Sequence, residues 1–166
     1  GAPGLKYGAD YIFMYVENSD RPAPLLETTP IRRYFAYGDW AFLQVLDAAA
    51  GLTDEQIDRS FEIGMGTLRK TLIHIHDAEH WWQGSWRNGP VETFPALDES
   101  LPRLRLREMF ERTAAQRNEF IVSRTDADLR EPTTALVRPG RTRSFPLGVT
   151  MLQLCSHGTH HRAQAV

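Results

Sequence analysis

The chain has 166 residues, of which 42% are hydrophobic, and this is enough to bury the core of one domain. Its 19 basic and 21 acidic residues leave a formal charge of −2 at pH 7, which argues against nucleic acid or an anionic membrane as a partner. Cys155 is the only cysteine, which excludes an internal disulfide, and no apolar run reaches the roughly 20 residues that span a bilayer, so we expect a soluble, cytoplasmic protein.

Four segments show helical periodicity, with apolar residues on one face at about 100° per residue. In chain order they cover about residues 29–50, 66–87, 100–124 and 147–166. Thr29 followed by Pro30 is a typical start signal for the first helix, and Pro102 lies in the first turn of the third. The pattern of residues 1–29 predicts no element, so we treat them as an N-terminal arm and expect the helical domain over residues 30–166.

A small β-hairpin is expected between the third and fourth helices. The sequence TTALVRPGRTRSF, residues 133–145, places Pro139 and Gly140 between two short β-prone runs. The arginines of this segment could attract an anionic substrate, although such a cluster is more often a solvated turn; they are Arg138, Arg141 and Arg143. Four helices with one such crossover predict an all-α four-helix bundle.

Histidines are concentrated on the second and fourth predicted helices. His157 and His161 are four residues apart, so on a helix their rings point the same way and suit one metal ion. Two histidines do not complete a metal site, and the sequence HIHDAEHWW at 74–82 offers a third ligand. The candidates there face three different directions, and periodicity alone does not choose among them: His74, His76 and His80.

Two carboxylates occupy positions where burial is expected. Glu79 falls near the centre of the apolar stripe of the second helix, where a carboxylate must be paired or protonated. It is a general base, a residue that orients a metal ligand, or the partner of Arg117, which falls mid-stripe on the third helix. Asp39, on the flank of the first helix's apolar face, has the same alternatives with less burial. Arg162 either stabilises an anionic substrate or caps the end of the bundle, and Trp40 faces outward, which suggests a dimer contact.

Three stretches resemble the DinB/YfiT-like superfamily of metalloenzymes. They are YGDWAF (37–42), LIHIHDAEHWW (72–82) and HGTHHRAQ (157–164). The last is similar to the superfamily pattern H-x3-H-R-G-Q, with Ala163 in place of the usual glycine. The resemblance covers about residues 30–166 and implies a four-helix bundle of up-down-down-up topology that is often a homodimer.

The resemblance also implies a metal site and a class of reaction. The superfamily's metal ligands fall on His74, His157 and His161, and three imidazoles with an open fourth position are typical of catalytic zinc, although nickel or iron would also bind. The implied activity is that of a metal-dependent transferase or isomerase using a low-molecular-weight thiol. A metal-dependent hydrolase and a non-catalytic metal-binding stress-response protein are the alternatives. The candidate catalytic residues are Glu79, Asp39 and Arg162.

Overall fold

The computed structural model describes residues 27–94, 98–100 and 102–166. The elements in chain order are α1 (Thr28–Ala50), α2 (Asp54–Ile57), α3 (Leu68–Asn88), α4 (Arg103–Val122), β1 (Pro132–Arg138), β2 (Arg141–Pro146) and α5 (Leu147–Gln164). The four long helices form the predicted bundle, and none of the described helices is long and apolar enough to cross a membrane. The first 26 residues of the arm expected over residues 1–29 lie outside the described residues.

Contacts between the helices define the topology of the bundle. Helices α1 and α4 run antiparallel, because Asp39 contacts Arg117 and, further along α1, Phe42 contacts Phe110. Two pairs show that α3 and α4 run parallel: Glu79 with Arg117, and Trp86 with Phe120. Two more show that α3 runs antiparallel to α5: His74 with His157, and Trp86 with Thr150. The up-down-down-up topology is therefore confirmed.

The helix starts differ from the prediction for two physical reasons. Helix α1 begins at Thr28, and Asp126 caps it by accepting hydrogen bonds from the Thr28 N–H (2.8 Å) and hydroxyl (2.9 Å). Thr29, expected from the sequence to start this helix as its capping residue, lies inside the first turn instead, because Asp126, a residue distant in sequence, supplies the capping carboxylate. Helix α4 begins at Arg103 rather than near Ser100, because Pro102 keeps an extended backbone (φ −64°, ψ 139°) and is the N-cap residue.

The connection from α1 to α3 contains the short helix α2, which the sequence did not predict. A capping box begins it: the Thr53 hydroxyl accepts from the Gln56 backbone N–H (3.2 Å), and the side-chain Oε1 of Gln56 accepts from the Thr53 backbone N–H (2.8 Å). Arg69, at the start of α3, donates hydrogen bonds to Asp54 (2.9 Å) and Asp58 (2.6 Å). These contacts fix both ends of the loop formed by residues 58–67.

The predicted hairpin precedes α5. Strands β1 and β2 pair antiparallel from Pro132 opposite Pro146 to Arg138 opposite Arg141, with a bulge between Leu136 and Arg138. Gly140 closes the turn with φ 72°, a backbone conformation that glycine adopts without strain. The hairpin leads directly into α5 and so sets where the histidine-bearing helix begins.

The bundle interior consists of two apolar clusters separated by a layer of charged side chains. The first cluster includes Phe35, Trp82, Phe120, Met151 and Leu154, and the second includes Phe42, Leu72, Ile75, Phe110 and Ala114. On α1, α3 and α4 the position between the two clusters is polar in each case, and the residues there are Asp39, Glu79 and Arg117. The middle of the bundle is therefore ionic rather than apolar.

Candidate metal centre

Three histidines from two antiparallel helices converge at one side of the bundle. His74 lies on α3, His157 and His161 lie on α5, and one ring nitrogen from each is within 4.8 Å of the others. The Nε2 atoms of His74 and His157 are 3.0 Å apart. The centroid of the His161 ring is 4.5 Å from that of His74 and 4.4 Å from that of His157. This group could hold a metal ion.

The protonation state of the cluster suits a divalent metal. Burial, followed by the neighbouring His161, lowers the pKa of His74 to about 4. Burial and His74 hold the pKa of His157 well below its usual value. Burial also lowers the pKa of His161, although the hydrogen bond that this ring donates to Gln164 acts in the opposite direction. All three imidazoles are therefore neutral near pH 7, which is the form that binds metal.

Hydrogen bonding within the cluster also fits a metal site. The Nε2 atoms of His74 and His157 face each other, so when both rings are neutral at most one of these two atoms carries a proton and the other accepts the hydrogen bond. The buried Nδ1 of His157 has no hydrogen-bond partner among the described residues. His161 is 7% exposed, whereas His74 and His157 are half-buried.

The remaining histidines have other partners. His76 is buried, with Nε2 3.2 Å from the Thr113 hydroxyl and Nδ1 3.0 Å from the Asp77 carboxylate. His80 is exposed and its ring stacks on His76. Of the three histidines that periodicity left open on α3, His74 is therefore the one that meets the histidines of α5.

Glu79 and Asp39 share a single buried cation. The Arg117 guanidinium, 0% exposed, donates one Nη to Glu79 and the other to Asp39 at 2.7 Å, and it lies 4.4 Å from the centroid of the Phe35 ring. Burial raises the pKa of Glu79 to about 7, although Arg117 acts in the opposite direction. Glu79 and Asp39 thus both have the ion pair that the sequence offered as one alternative, and they share the same arginine.

A small cavity of about 30 Å³ lies beside this ion pair, with room for about one water molecule. Its lining includes Asp39, Glu79, Arg117 and Arg162 but none of the three clustered histidines. On α3, Glu79 lies about 140° around the helix from His74, at about 100° per residue. The charged cavity and the histidine cluster are therefore on different faces of the same helices.

Arg162 extends from α5 towards α1 rather than towards the histidines. It donates a hydrogen bond to the Thr159 hydroxyl (3.1 Å), and a Cβ at Gly158 would lie 3.1 Å from its Nη1. Burial lowers the pKa of its guanidinium. Gly158, which lies between His157 and His161 on α5, therefore leaves space for the arginine to fold back along the helix.

Sequence reasoning did not single out Gln164. Its Oε1 lies 2.8 Å from Nδ1 of His161, and its Nε2 lies 3.0 Å from Nε2 of His160. Its spacing from His161 could have indicated this contact, because a residue three positions after a histidine on a helix lies on the same side of the helix as that histidine.

The fold and site define a helical bundle with a three-histidine group capable of holding a metal ion. A sequence profile described as the DinB family matches residues 14–166, and the chain therefore belongs to this family. The match begins upstream of residue 30, where the sequence analysis placed the start of the bundle. No curated protein matches the chain.

Proposed function

We propose that this protein is a metal-dependent enzyme whose divalent transition metal is bound by His74, His157 and His161. The observation that carries the proposal is the convergence of three neutral imidazoles within 4.8 Å. No carboxylate or thiol joins this group within the described residues. Three protein ligands are typical of catalytic zinc, whereas structural zinc sites complete the coordination sphere with four. Zinc or nickel is the metal we favour, and iron is chemically compatible.

The activity we favour is transfer or isomerisation with a low-molecular-weight thiol, which the family resemblance supports. A bound metal of this kind would lower the pKa of a thiol or water at its open position. The chain's own contribution is to keep three imidazoles neutral by burial and to hold His161 through Gln164. The partial exposure of His74 and His157 supports access by a small molecule.

Glu79 is the candidate general base of this enzyme. Its pKa of about 7 suits proton transfer near neutral pH. Asp39 would keep Arg117 paired when Glu79 takes up a proton, and Arg162 would offer a cation to an anionic substrate. Because Glu79 lines the cavity and not the histidine cluster, this role requires a proton to reach Glu79 through a water molecule in the cavity.

A metal-dependent hydrolase is the second candidate, and the direction of Arg162 favours it. Arg162 extends towards α1 and not towards the three histidines, so it offers no cation beside the metal for the carboxylates of a thiol cosubstrate. Hydrolysis needs only water at the metal and therefore makes no such demand.

We also propose that the protein is a homodimer. Tyr37 and Trp40, on the outer face of α1, are 55% and 59% exposed, and their ring centroids are 6.0 Å apart. Exposed aromatic pairs of this kind are typical of contact surfaces. A cytoplasmic location stays a prediction from the sequence.

The test of the metal site is elemental analysis of protein purified without chelator, followed by zinc and nickel titration monitored by thermal unfolding. We expect one metal ion per chain and a stabilisation of about 2.7 kcal/mol at a hundredfold excess over Kd. His80→Ala, which removes an exposed histidine of α3, is the matched control for His74→Ala. Protein that contains no transition metal and is not stabilised by either ion would refute the site.

The test of the reaction is a screen of the metal-loaded protein. Thiol conjugation to electrophiles would support the transferase, and hydrolysis of simple esters or amides would support the hydrolase. Metal binding without either activity would leave the non-catalytic metal-binding protein as the correct alternative.

A further inference from the structure

Gln164 fixes which nitrogen of His161 is free. The amide oxygen Oε1 can only accept a hydrogen bond, so the Nδ1 atom 2.8 Å away must carry the ring proton of neutral His161. The amide Nε2 in turn donates to Nε2 of His160 at 3.0 Å. With the amide in this orientation, the lone pair of His161 is on Nε2.

The loop of residues 58–67 contacts the same amide. Gly64 in this loop has φ 62°, and a Cβ added to it would lie 2.7 Å from Oε1 and 3.1 Å from Cδ of Gln164. The loop turns tightly here, since the Phe61 N–H donates to the Gly66 carbonyl at 2.8 Å. Glycine adopts the backbone conformation of position 64 without strain, and a larger residue there would have to displace the end of the Gln164 side chain.

We propose that Gln164 is a positioning residue for the metal ligand His161, and that Gly64 holds Gln164 in place, so that the loop of residues 58–67 sets the metal affinity of the histidine cluster. The proposal rests on the proposed metal-binding function. Its physical basis is that a hydrogen bond to the second nitrogen of a ligand histidine fixes the ring's tautomer and orientation, and losing it typically costs about 10–100-fold in metal affinity.

The loop provides its own control. Gly66 also has a positive φ, 89°, but a Cβ added there meets nothing within 4 Å. Gly64→Ala and Gly66→Ala therefore both strain the backbone, whereas only Gly64→Ala displaces the Gln164 amide. A difference between the two variants in metal affinity isolates the contact from the strain.

The experiment measures zinc affinity by competition with a chromogenic chelator for wild type, Gly64→Ala, Gly66→Ala and Gln164→Ala. We expect Gly64→Ala and Gln164→Ala to bind zinc about 10-fold or more weakly than wild type, and Gly66→Ala to stay within about 2-fold. Gln164→Ala alters a half-buried residue at the end of α5 and tests the proposal if Gly64→Ala fails to fold.

A second readout uses metal-free protein. Long-range nitrogen–proton NMR correlation of the imidazoles should show His161 protonated on Nδ1 in wild type and a tautomer mixture in Gln164→Ala. Zinc affinities that are equal in Gly64→Ala and Gly66→Ala, or unchanged in Gln164→Ala, would overturn this inference while leaving the metal site intact. Wild-type protein without zinc affinity would instead refute the proposed function, and the inference with it.

Discussion

Replacing Arg117 by methionine tests whether the charged layer in the middle of the bundle is held by a single cation. Arg117 is fully buried and donates to both Glu79 and Asp39. Methionine has similar length but no charge, so Arg117→Met leaves two carboxylates facing each other with no cation between them. The side chains of Glu79 and Asp39 are 8% and 19% exposed, so solvent screens their repulsion only weakly.

The expected loss in the free energy of unfolding is about 3–5 kcal/mol, the cost of removing one partner from a buried ion pair. For a chain of this size that loss lowers Tm by about 6–20 °C. Denaturant titration and calorimetry at pH 8 measure it. Arg112→Met is the control, because Arg112 lies on the same helix but is exposed, and its loss should stay within about 0.5 kcal/mol.

Restoring charge balance should recover the stability. The triple variant Arg117→Met, Glu79→Gln, Asp39→Asn leaves no unpaired carboxylate, so we expect it to be more stable than Arg117→Met alone. The single variant should also be less impaired at pH 5 than at pH 8, because a buried carboxylate without a cation gains stability when it is protonated. A loss below about 1 kcal/mol, or a triple variant no more stable than the single one, would refute this account of the layer.

Three further predictions follow from the site and the surface. Burial raises the pKa of Glu79 from 4.5 to about 7, so its protonated form stabilises the fold fully below pH 4.5 and that contribution is lost as pH rises through 7. Between pH 4.5 and pH 8 the free energy of unfolding of Glu79→Gln should therefore gain about 3 kcal/mol relative to that of wild type. An equal dependence of the free energy of unfolding on pH in the two proteins would contradict this. His161→Ala should abolish zinc binding, since two histidines hold a divalent ion poorly, and retention of zinc at wild-type affinity would exclude His161 as a ligand. Light scattering should give a homodimer that Trp40→Ser weakens, whereas a wild-type monomer of about 19 kDa at micromolar concentration would remove the dimer.

The sequence was sufficient for the bundle because its signals are local. Apolar periodicity located all four long helices, and Pro139 with Gly140 located the hairpin. The start of α1 could not be predicted from such signals, because Asp126 caps it across the bundle. Helix α2 is only four residues long, too short for a periodic pattern, although its capping pair, Thr53 and Gln56, is present in the sequence.

The site was predictable where ligands share a helix and unpredictable where helices meet. The spacing of His157 and His161 identified one half of the cluster without tertiary information. Choosing His74 over its neighbours needed the family resemblance, because which side of α3 faces α5 depends on how the helices pack. The pairing of Asp39 with Arg117 joins residues 78 positions apart, and no local pattern encodes it.

The placement of the histidines connects the proposed metal site to the stability of the fold. Helix α5 contributes Leu147, Met151, Leu154 and Cys155 to the first apolar cluster, but none of the described residues that form the second cluster comes from it. Beyond the charged layer, α5 presents His157 and His161 towards α3. Imidazoles that are neutral and only partly hydrogen-bonded pack less favourably there than leucines would. Three nitrogens bound to one ion would join α3 to α5 at the end of the bundle where apolar packing between these two helices is missing. The three histidines would therefore reduce the stability of the metal-free protein and increase the stability of the metal-bound protein.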